Sequence, residues 1–280
     1  MQIKNYTLNC KGKLLSFDSP IVMGILNVTP DSFFDGGKYK NEVAVLVQVD
    51  KMLHEGASMI DIGGFSTRPN AELISEEEEL KRVLPIIESI HKHFPEAILS
   101  IDTFRSKIAE EVVLNGVSII NDISGGTEDE RIFEVAAKYD CPLVLMHRQG
   151  NLKTMHKEKT YINLLTDIVD YFNQQIKRAT DFGVKDVIID VGFGFSKTQE
   201  QNYSLLKNLA VFKMLEKPML VGVSRKSMLY KLLETSAENA LNATTVANTI
   251  ALQNGANILR VHDVKEALEC VNIWKMMNDN

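Results

Sequence analysis

A series of short apolar runs each close on residues able to do chemistry. Ile21–Leu26 stops at Asn27, Ala97–Asp102 and Val117–Asn121 end on Asp102 and Asn121, and Val187–Asp190 ends on Asp190. Met59–Ile62 carries Asp61, Pro142–Met146 ends before His147, Met219–Val223 runs into Ser224-Arg225-Lys226-Ser227, and Asn257–Val261 contains Arg260 and precedes His262. Carboxylates and amides set against apolar runs need donors, because an unpaired buried acceptor costs about 1–3 kcal/mol. A flat heterocycle rich in N–H groups would supply them. Arg260 and His262 are two positions apart on a strand and so point to one side. With Asn27, with Ser66-Thr67-Arg68, and with the free N–H groups of a helix opening near Ser227, they read as an anion site. Phosphate or diphosphate is the expected anion, with a carboxylate as a second.

The segments between these runs must position them. Tyr6–Phe17 alternates around Lys11-Gly12 and predicts a hairpin, placed to cap the bottom of a barrel. Helical periodicity is expected over Asn41–Glu55, with Gly56 ending it. Ser75 and Glu78 form a capping-box pair before a helix burying Leu80, Val83, Leu84, Ile87 and Ile90. The acidic run Glu76–Glu79 reads as a solvated cap on that helix dipole. Further helices are predicted at Arg105–Leu114, through Ile132, Val135 and Ala136, from Leu165 to Ala179, around Tyr203–Leu209, and onward to Leu252 with a break near Ser236. Asp263 with Glu266 is expected to cap a last helix burying Val264, Leu268, Val271 and Trp274. Eight strand–helix units imply a parallel sheet. At 280 residues they favour a closed (β/α)8 TIM barrel, which needs roughly 250, with its active site at the strand C-termini. The expected organisation is one α/β domain over 1–280, with an N-terminal β-hairpin in 1–18 and the barrel in 19–280.

Composition narrows the function classes. A formal net charge of −6 argues against a nucleic-acid partner. No apolar window reaches about 18 residues, and Met1-Gln-Ile-Lys-Asn has no apolar signal core, so no membrane association and a cytoplasmic location are expected. Cys10, Cys141 and Cys270 are odd in number and far apart, which predicts structural thiols. Gly192–Thr198 fails as a phosphate loop, because Ser196 stands where glycine should precede lysine. Gly-Phe-Gly-Phe lacks the third glycine of a dinucleotide fingerprint. His91 and His93 read as surface residues, and His147 and His156 carry no assignment.

Taken together, Asn27-Val-Thr-Pro-Asp-Ser-Phe, Asp35-Gly-Gly, Gly63-Gly64 with Ser66-Thr-Arg-Pro69, Ile101-Asp102-Thr103, Ile120-Asn121-Asp122-Ile123, Leu145-Met146-His147, Gly192-Phe-Gly-Phe195, Ser224-Arg-Lys-Ser227 and Arg260-Val-His-Asp263 resemble the dihydropteroate synthase family in order and spacing. The resemblance runs from Ile21 to about Trp274. It implies condensation of 6-hydroxymethyl-7,8-dihydropterin diphosphate with 4-aminobenzoate, giving dihydropteroate and diphosphate, with Mg2+ as cofactor, sulfonamides as inhibitors and a homodimer joined through the last helices.

By the same resemblance, Asp102, Asn121, Ile123, Met146, Asp190, Gly194, Phe195 and Lys226 would hold the pterin. Asn27, Thr67, Arg260 and His262 would bind diphosphate, with Asn27 the metal ligand. Phe33, Thr67, Arg68, Pro69, Phe195 and Ser227 would form the aminobenzoate site. Asp35, Arg68 and Lys226 would be catalytic, the first two on loops that order over the pocket. Three positions depart from the family pattern: Phe34 for serine, Phe65 for glutamate and Val191 for proline. Phe34 and Phe65 bear on loop packing and sulfonamide affinity, and Val191 on the turn after Asp190, without changing its carboxylate. A methyltransferase-type pterin barrel would have little need of the Ser-Thr-Arg-Pro, Ser-Arg-Lys-Ser and Arg-x-His motifs together. A silent pterin-binding barrel predicts loss of Asn27, Arg68 or Lys226, all of which are present.

Overall fold

The structure, a computed structural model, describes residues 6–28, 38–65 and 74–278. The N-terminal hairpin pairs β1 (Thr7–Cys10) antiparallel with β2 (Lys13–Ser16), with Thr7 opposite Ser16. Its turn is Lys11-Gly12, both at positive φ (53° and 89°), the geometry that suits the twist of a two-residue hairpin loop.

Eight parallel strands then close into a barrel: β3 (Ile21–Asn27), β4 (Met59–Gly63), β5 (Leu99–Asp102), β6 (Ile119–Asp122), β7 (Leu143–Met146), β8 (Val187–Asp190), β9 (Met219–Val221) and β10 (Ile258–Val261). They are neighbours in chain order, and β10 returns to pair with β3. Helices between the strands wrap the outside. Alternation sorts each strand into two faces. Val22, Ile60, Ile62, Leu99, Ile101, Ile120, Leu145, Ile189 and Leu259 face outward into the large core beneath the helices. Met23, Met59, Ile119, Val144, Ile188, Leu220 and Ile258 face inward and pack against Leu8, Cys10 and Phe17 of the hairpin segment. The hairpin therefore plugs the N-terminal end of the barrel. Asp186 holds it there by accepting the backbone N–H of Asn9 at 2.9 Å.

Most boundaries fall within a few residues of the sequence expectation. The first helix begins at Lys38 rather than Asn41 and ends at His54, before Gly56 at φ 96°. Strand β9 stops at Val221, two residues early. The segment around Tyr203 resolves into Gln199–Lys207 and a 3-10 turn, Leu209–Leu215, and the later helical stretch into Ser227–Leu232 and Leu241–Gln253, the break spanning Ser236. His91 and His93 are exposed at a helix end, as expected. The three cysteines are buried and free, and burial pushes the Cys10 and Cys141 thiols up to about 12 and 11. Such thiols are inert at neutral pH.

Three local expectations are corrected. Glu79 is not part of a solvated cap. It is fully buried and ion-paired with Arg105, which also donates to the Ile74 carbonyl. Ser75 accepts the Glu78 N–H at 3.1 Å, but the Glu78 carboxylate turns to Arg82 at 2.8 Å instead of completing the box. Asp263 is bound by both Nε and Nη2 of Arg225 at 2.8 Å, so its carboxylate is committed to that guanidinium.

Candidate active site

The apolar floor fixes the next layer. Two residues beyond each floor position the chain again points inward, and there stand Ile25, Asp61, Asn121, Met146, Asp190, Gly222 and Arg260. On β5 the inward pair is Ser100 and Asp102. Barrels of this kind usually fill such layers with branched apolar side chains. Here the layer is polar and asymmetric.

One side is a network of acids around Arg260. Arg260 Nε donates to Asp61 Oδ2 at 2.6 Å, and Nη2 donates to Asp102 Oδ2 at 2.8 Å. Asp61, fully buried, also accepts Asn121 Nδ2 at 2.9 Å and Ser100 Oγ at 2.6 Å. Burial pushes the Asp102 carboxyl up to about 7; Arg260 opposes the rise and the Asp61 charge adds to it. Asp102 Oδ1 is buried and has no hydrogen-bond partner among the described residues. It is an acceptor awaiting a donor.

The other side pairs Asp190 with Lys226. Burial raises the Asp190 carboxyl against the nearby Lys226 charge, and lowers the Lys226 ammonium to about 8 although Asp190 supports it. Lys226 Nζ donates to the Phe193 carbonyl and lies 4.9 Å above the Phe195 ring. Gly192 donates its N–H to Asp190 Oδ1 at 2.8 Å, and Gly194 to Asn202 Oδ1 at 2.8 Å, so the loop after β8 is fixed from both flanks. Phe65, Phe104, Ile123, Met146, Met155 and Phe195 form a separate apolar cluster beside these groups. Phe65 packs edge-on against Phe104 with ring centroids 5.5 Å apart.

The rim carries Asn27, Ser224 and His262. A Cβ on Gly63 would lie 3.6 Å from Asn27 Oδ1 and 3.8 Å from Asp102 Cβ, so Asn27 stands beside the acid network. His262 donates its backbone N–H to Ser224 Oγ at 3.2 Å, and its Nδ1 lies 3.0 Å from the same hydroxyl. Ser227 opens its helix one residue after Lys226. His262 lies one residue past β10 and is exposed, whereas Arg260 stands on the strand. Its guanidinium is held between two carboxylates. Arg225 leaves the set altogether: besides Asp263 it binds the carbonyls of Ala237 and Glu238. Phe33, Asp35, Thr67, Arg68 and Pro69 lie outside the described residues.

Several groups in this region carried no role in the sequence reading. Asp61 was visible only as a strand acid. Lys197 is 6 % exposed, and its Nζ reaches the Gly192 carbonyl at 3.0 Å, the Phe195 carbonyl at 3.1 Å and His147 Nδ1 at 3.1 Å. Burial lowers Lys197 to about 7, and burial with the Lys197 charge holds His147 neutral. Lys197 thus staples the loop carrying Phe195 from beneath. Gly222 faces inward, where a Cβ would just touch Lys226 Nζ and Arg260 Cβ. The inward alternation on β9 was the available signal for Gly222; nothing local marks Lys197.

Comparison with known proteins points one way. Residues 23–262 match the family model described as pterin binding enzyme. The chain is 42 % identical over 268 residues to the dihydropteroate synthase of Escherichia coli K12, covering 95 % of this chain and 94 % of that protein. A Yersinia pestis dihydropteroate synthase solved with a sulfonamide drug superposes at TM-score 0.91 with 41 % identity, over 98 % of this chain and all (100 %) of that one. A Xanthomonas albilineans dihydropteroate synthase solved with 4-aminobenzoic acid gives TM-score 0.91 at 34 % identity, over 99 % and 100 % of the two chains.

Proposed function

The chain belongs to the pterin-binding enzyme family and, as a dihydropteroate synthase of folate biosynthesis, joins 6-hydroxymethyl-7,8-dihydropterin diphosphate to 4-aminobenzoate; we propose how its own residues divide that task. The unpartnered Oδ1 of Asp102 carries the reading. A ring N–H placed there satisfies an acceptor whose isolation costs about 1–3 kcal/mol. Asp190 accepts from a second part of the same edge, and Asn121 presents its amide between them. Lys226 donates to the ring's acceptor atoms while Phe195, Met146 and Ile123 supply the apolar contact and Gly194 lets the backbone come close.

Diphosphate then falls at the rim, where Asn27, His262 and the Arg260 charge meet it, with Thr67. Asn27 fits a Mg2+ site in kind. It offers one neutral oxygen beside the pocket, and Mg2+ usually keeps several waters and takes the rest of its shell from substrate phosphates. Among the described residues no cluster of three or more His, Cys, Asp or Glu could hold a metal, so a site shared with substrate suits this chain better than an all-protein cage. When bound, the ion would neutralise charge developing on the leaving diphosphate. Asn27, Arg260 and His262 orient that group. Asp35 and Arg68 are proposed to exclude water from it. Phe33, Thr67, Arg68, Pro69, Phe195 and Ser227 hold aminobenzoate in line, a positioning task that needs little activation of the amine. Sulfonamides are proposed to occupy the same site.

The direct test is diphosphate release from dihydropterin diphosphate and Mg2+, with and without aminobenzoate. Release that requires aminobenzoate and yields dihydropteroate is expected. Pterin binding without turnover would mean a silent barrel, and absence of binding would overturn the pocket. The pKa shifts add a pH prediction. Asp102 gains its accepting charge as pH rises through about 7, and Lys226 loses its donating charge as pH rises through about 8. Pterin affinity should therefore climb from pH 6 to 7 and fall again above 8, as calorimetry across that range would show. A flat profile would separate these two groups from the ring.

We further read 1–280 as one domain, with 1–18 as the hairpin segment, in a cytoplasmic homodimer. No helix among the described residues is long and apolar enough to cross a membrane. Helices Leu241–Gln253 and Val264–Asn278 pack together and leave Val246, Ile250, Ile273, Met276 and Met277 exposed, which supports a contact there. The double substitution Ile273→Lys and Met276→Glu should convert the dimer to monomer by analytical ultracentrifugation. An unchanged mass would move the interface elsewhere.

A further inference from the structure

Asp61 has an expense and no obvious reason. It is fully buried on β4, one layer above the apolar floor, where a branched apolar residue would suit the barrel. Taking a carboxylate out of water costs several kcal/mol unless partners surround it. The partners are there, and they are specific. Ser100, directly beside Asp61 on β5, holds Oδ1. Oδ2 accepts both Asn121 Nδ2 and Arg260 Nε. Asp61 therefore spans four strands, β10, β4, β5 and β6, and touches two of the residues assigned to substrate.

The chemistry of each contact has a consequence. An ionised carboxylate only accepts, so the Asn121 face turned toward it must be the NH2 face. The Asn121 carbonyl oxygen is then forced to the opposite side. The Arg260 guanidinium is planar and forked; with Nε on Asp61 and Nη2 on Asp102 its plane is fixed. We propose that Asp61 is a positioning residue for pterin binding: one buried carboxylate sets which face of the Asn121 amide meets the ring and how the Arg260 guanidinium lies, without itself reaching the substrate. This rests on the pterin pocket proposed above. It goes beyond it in giving the pocket a hidden organiser whose oxygens are spent inside the barrel wall. The Asp61 charge has a second effect, because it opposes ionisation of Asp102.

Two variants test this. Asp61→Ala removes both the amide register and the charge. Asp61→Asn keeps an acceptor for Asn121 and Arg260, with the Ser100 hydroxyl turning to accept from the new amide, and removes the charge alone. Calorimetric pterin affinity should fall about 10- to 100-fold in Asp61→Ala and be partly recovered, to within about 3- to 10-fold of the parent, in Asp61→Asn. The aminobenzoate KM should stay within about twofold, since among the described residues Asp61 touches neither Phe195 nor Ser227. In Asp61→Asn the acidic limb of pterin binding should move to lower pH, because Asp102 loses an opposing negative charge while keeping Arg260. A merely structural carboxylate would lower the melting temperature of both variants and weaken pterin and aminobenzoate alike. A folded Asp61→Ala that binds pterin as the parent does, or whose aminobenzoate KM rises as far as its pterin Kd, would overturn the proposal. If Asp61→Ala does not fold, the same split between pterin Kd and aminobenzoate KM in Asp61→Asn decides. A parent protein that binds no pterin would fail the pocket assignment instead, which keeps the two failures apart.

Discussion

Replacement of Gly222 by leucine is expected to weaken pterin binding on the order of 100-fold while leaving the barrel folded. Gly222 follows β9 and points into the polar layer. A Cβ there would stand 3.9 Å from Lys226 Nζ and 4.0 Å from Arg260 Cβ, which is ordinary contact, and no strained backbone angle reserves the site for glycine. Gly222→Ala should therefore fold and bind nearly as the parent does. The rest of a leucine side chain would extend among Lys226 and Arg260, the groups nearest that position. That is the space assigned to the ring. Forcing extra methylenes against a fitted ligand costs about 1–3 kcal/mol or more, so calorimetric affinity should fall on the order of 100-fold. The melting temperature should change little, since the added atoms lie in the polar layer assigned to the ring and not in the packed floor. A leucine variant that binds pterin normally would place the ring elsewhere in the mouth.

The contrast between Gly222 and Glu79 shows what one-dimensional reading can reach. Strand parity is a local rule. From the floor residues Met59, Ile119, Ile188 and Ile258 it carries directly to Asp61, Asn121, Asp190 and Arg260, and so the set of inward groups was legible. The hairpin was legible too, because Lys11-Gly12 is a turn whose chemistry is contained in two residues. Glu79 was misread because it sits fourth in a run of acids whose first members are cap residues. Its burial depends on Arg105, 26 positions away, arriving from the next strand–helix unit. The same holds within the site. That Arg260 would spend its guanidinium on Asp61, 199 positions earlier, is a fact of barrel closure between β10 and β3 and not of either segment. Arg225 is the mirror case. Its motif invited an anion, and Asp263 took it. The family resemblance supplied the ring-binding set but not these pairings, since a shared motif names residues and leaves their partners unspoken.

Lys226→Ala should act on the pocket twice. The ammonium is a ring donor in the proposed arrangement, and hydrogen bonds to charged groups contribute about 1.5–3 kcal/mol. It is also the nearest cationic support of Asp190, whose carboxyl burial already raises. Without Lys226 that carboxyl rises further, which weakens it as an acceptor for the ring. Loss of the donor and weakening of the acceptor combine to an expected drop in pterin affinity on the order of 100-fold at pH 7. The pH dependence separates the two parts. Raising the pH restores the Asp190 charge but not the missing donor, so the acidic limb of binding should move up and the maximum should stay below the parent's. The alkaline fall above about 8 should disappear, because the group that titrates there is gone. Lys226→Arg keeps the charge beside Asp190 but not the compact ammonium geometry, and should return the limb to its place without restoring full affinity. The two carboxylate neighbourhoods thus predict opposite movements: removing the Asp61 charge shifts the acidic limb down through Asp102, and removing Lys226 shifts it up through Asp190. A limb that stays still in Lys226→Ala, with pterin affinity unchanged, would take Lys226 out of the ring site and leave it as a tether on the Phe193 carbonyl alone.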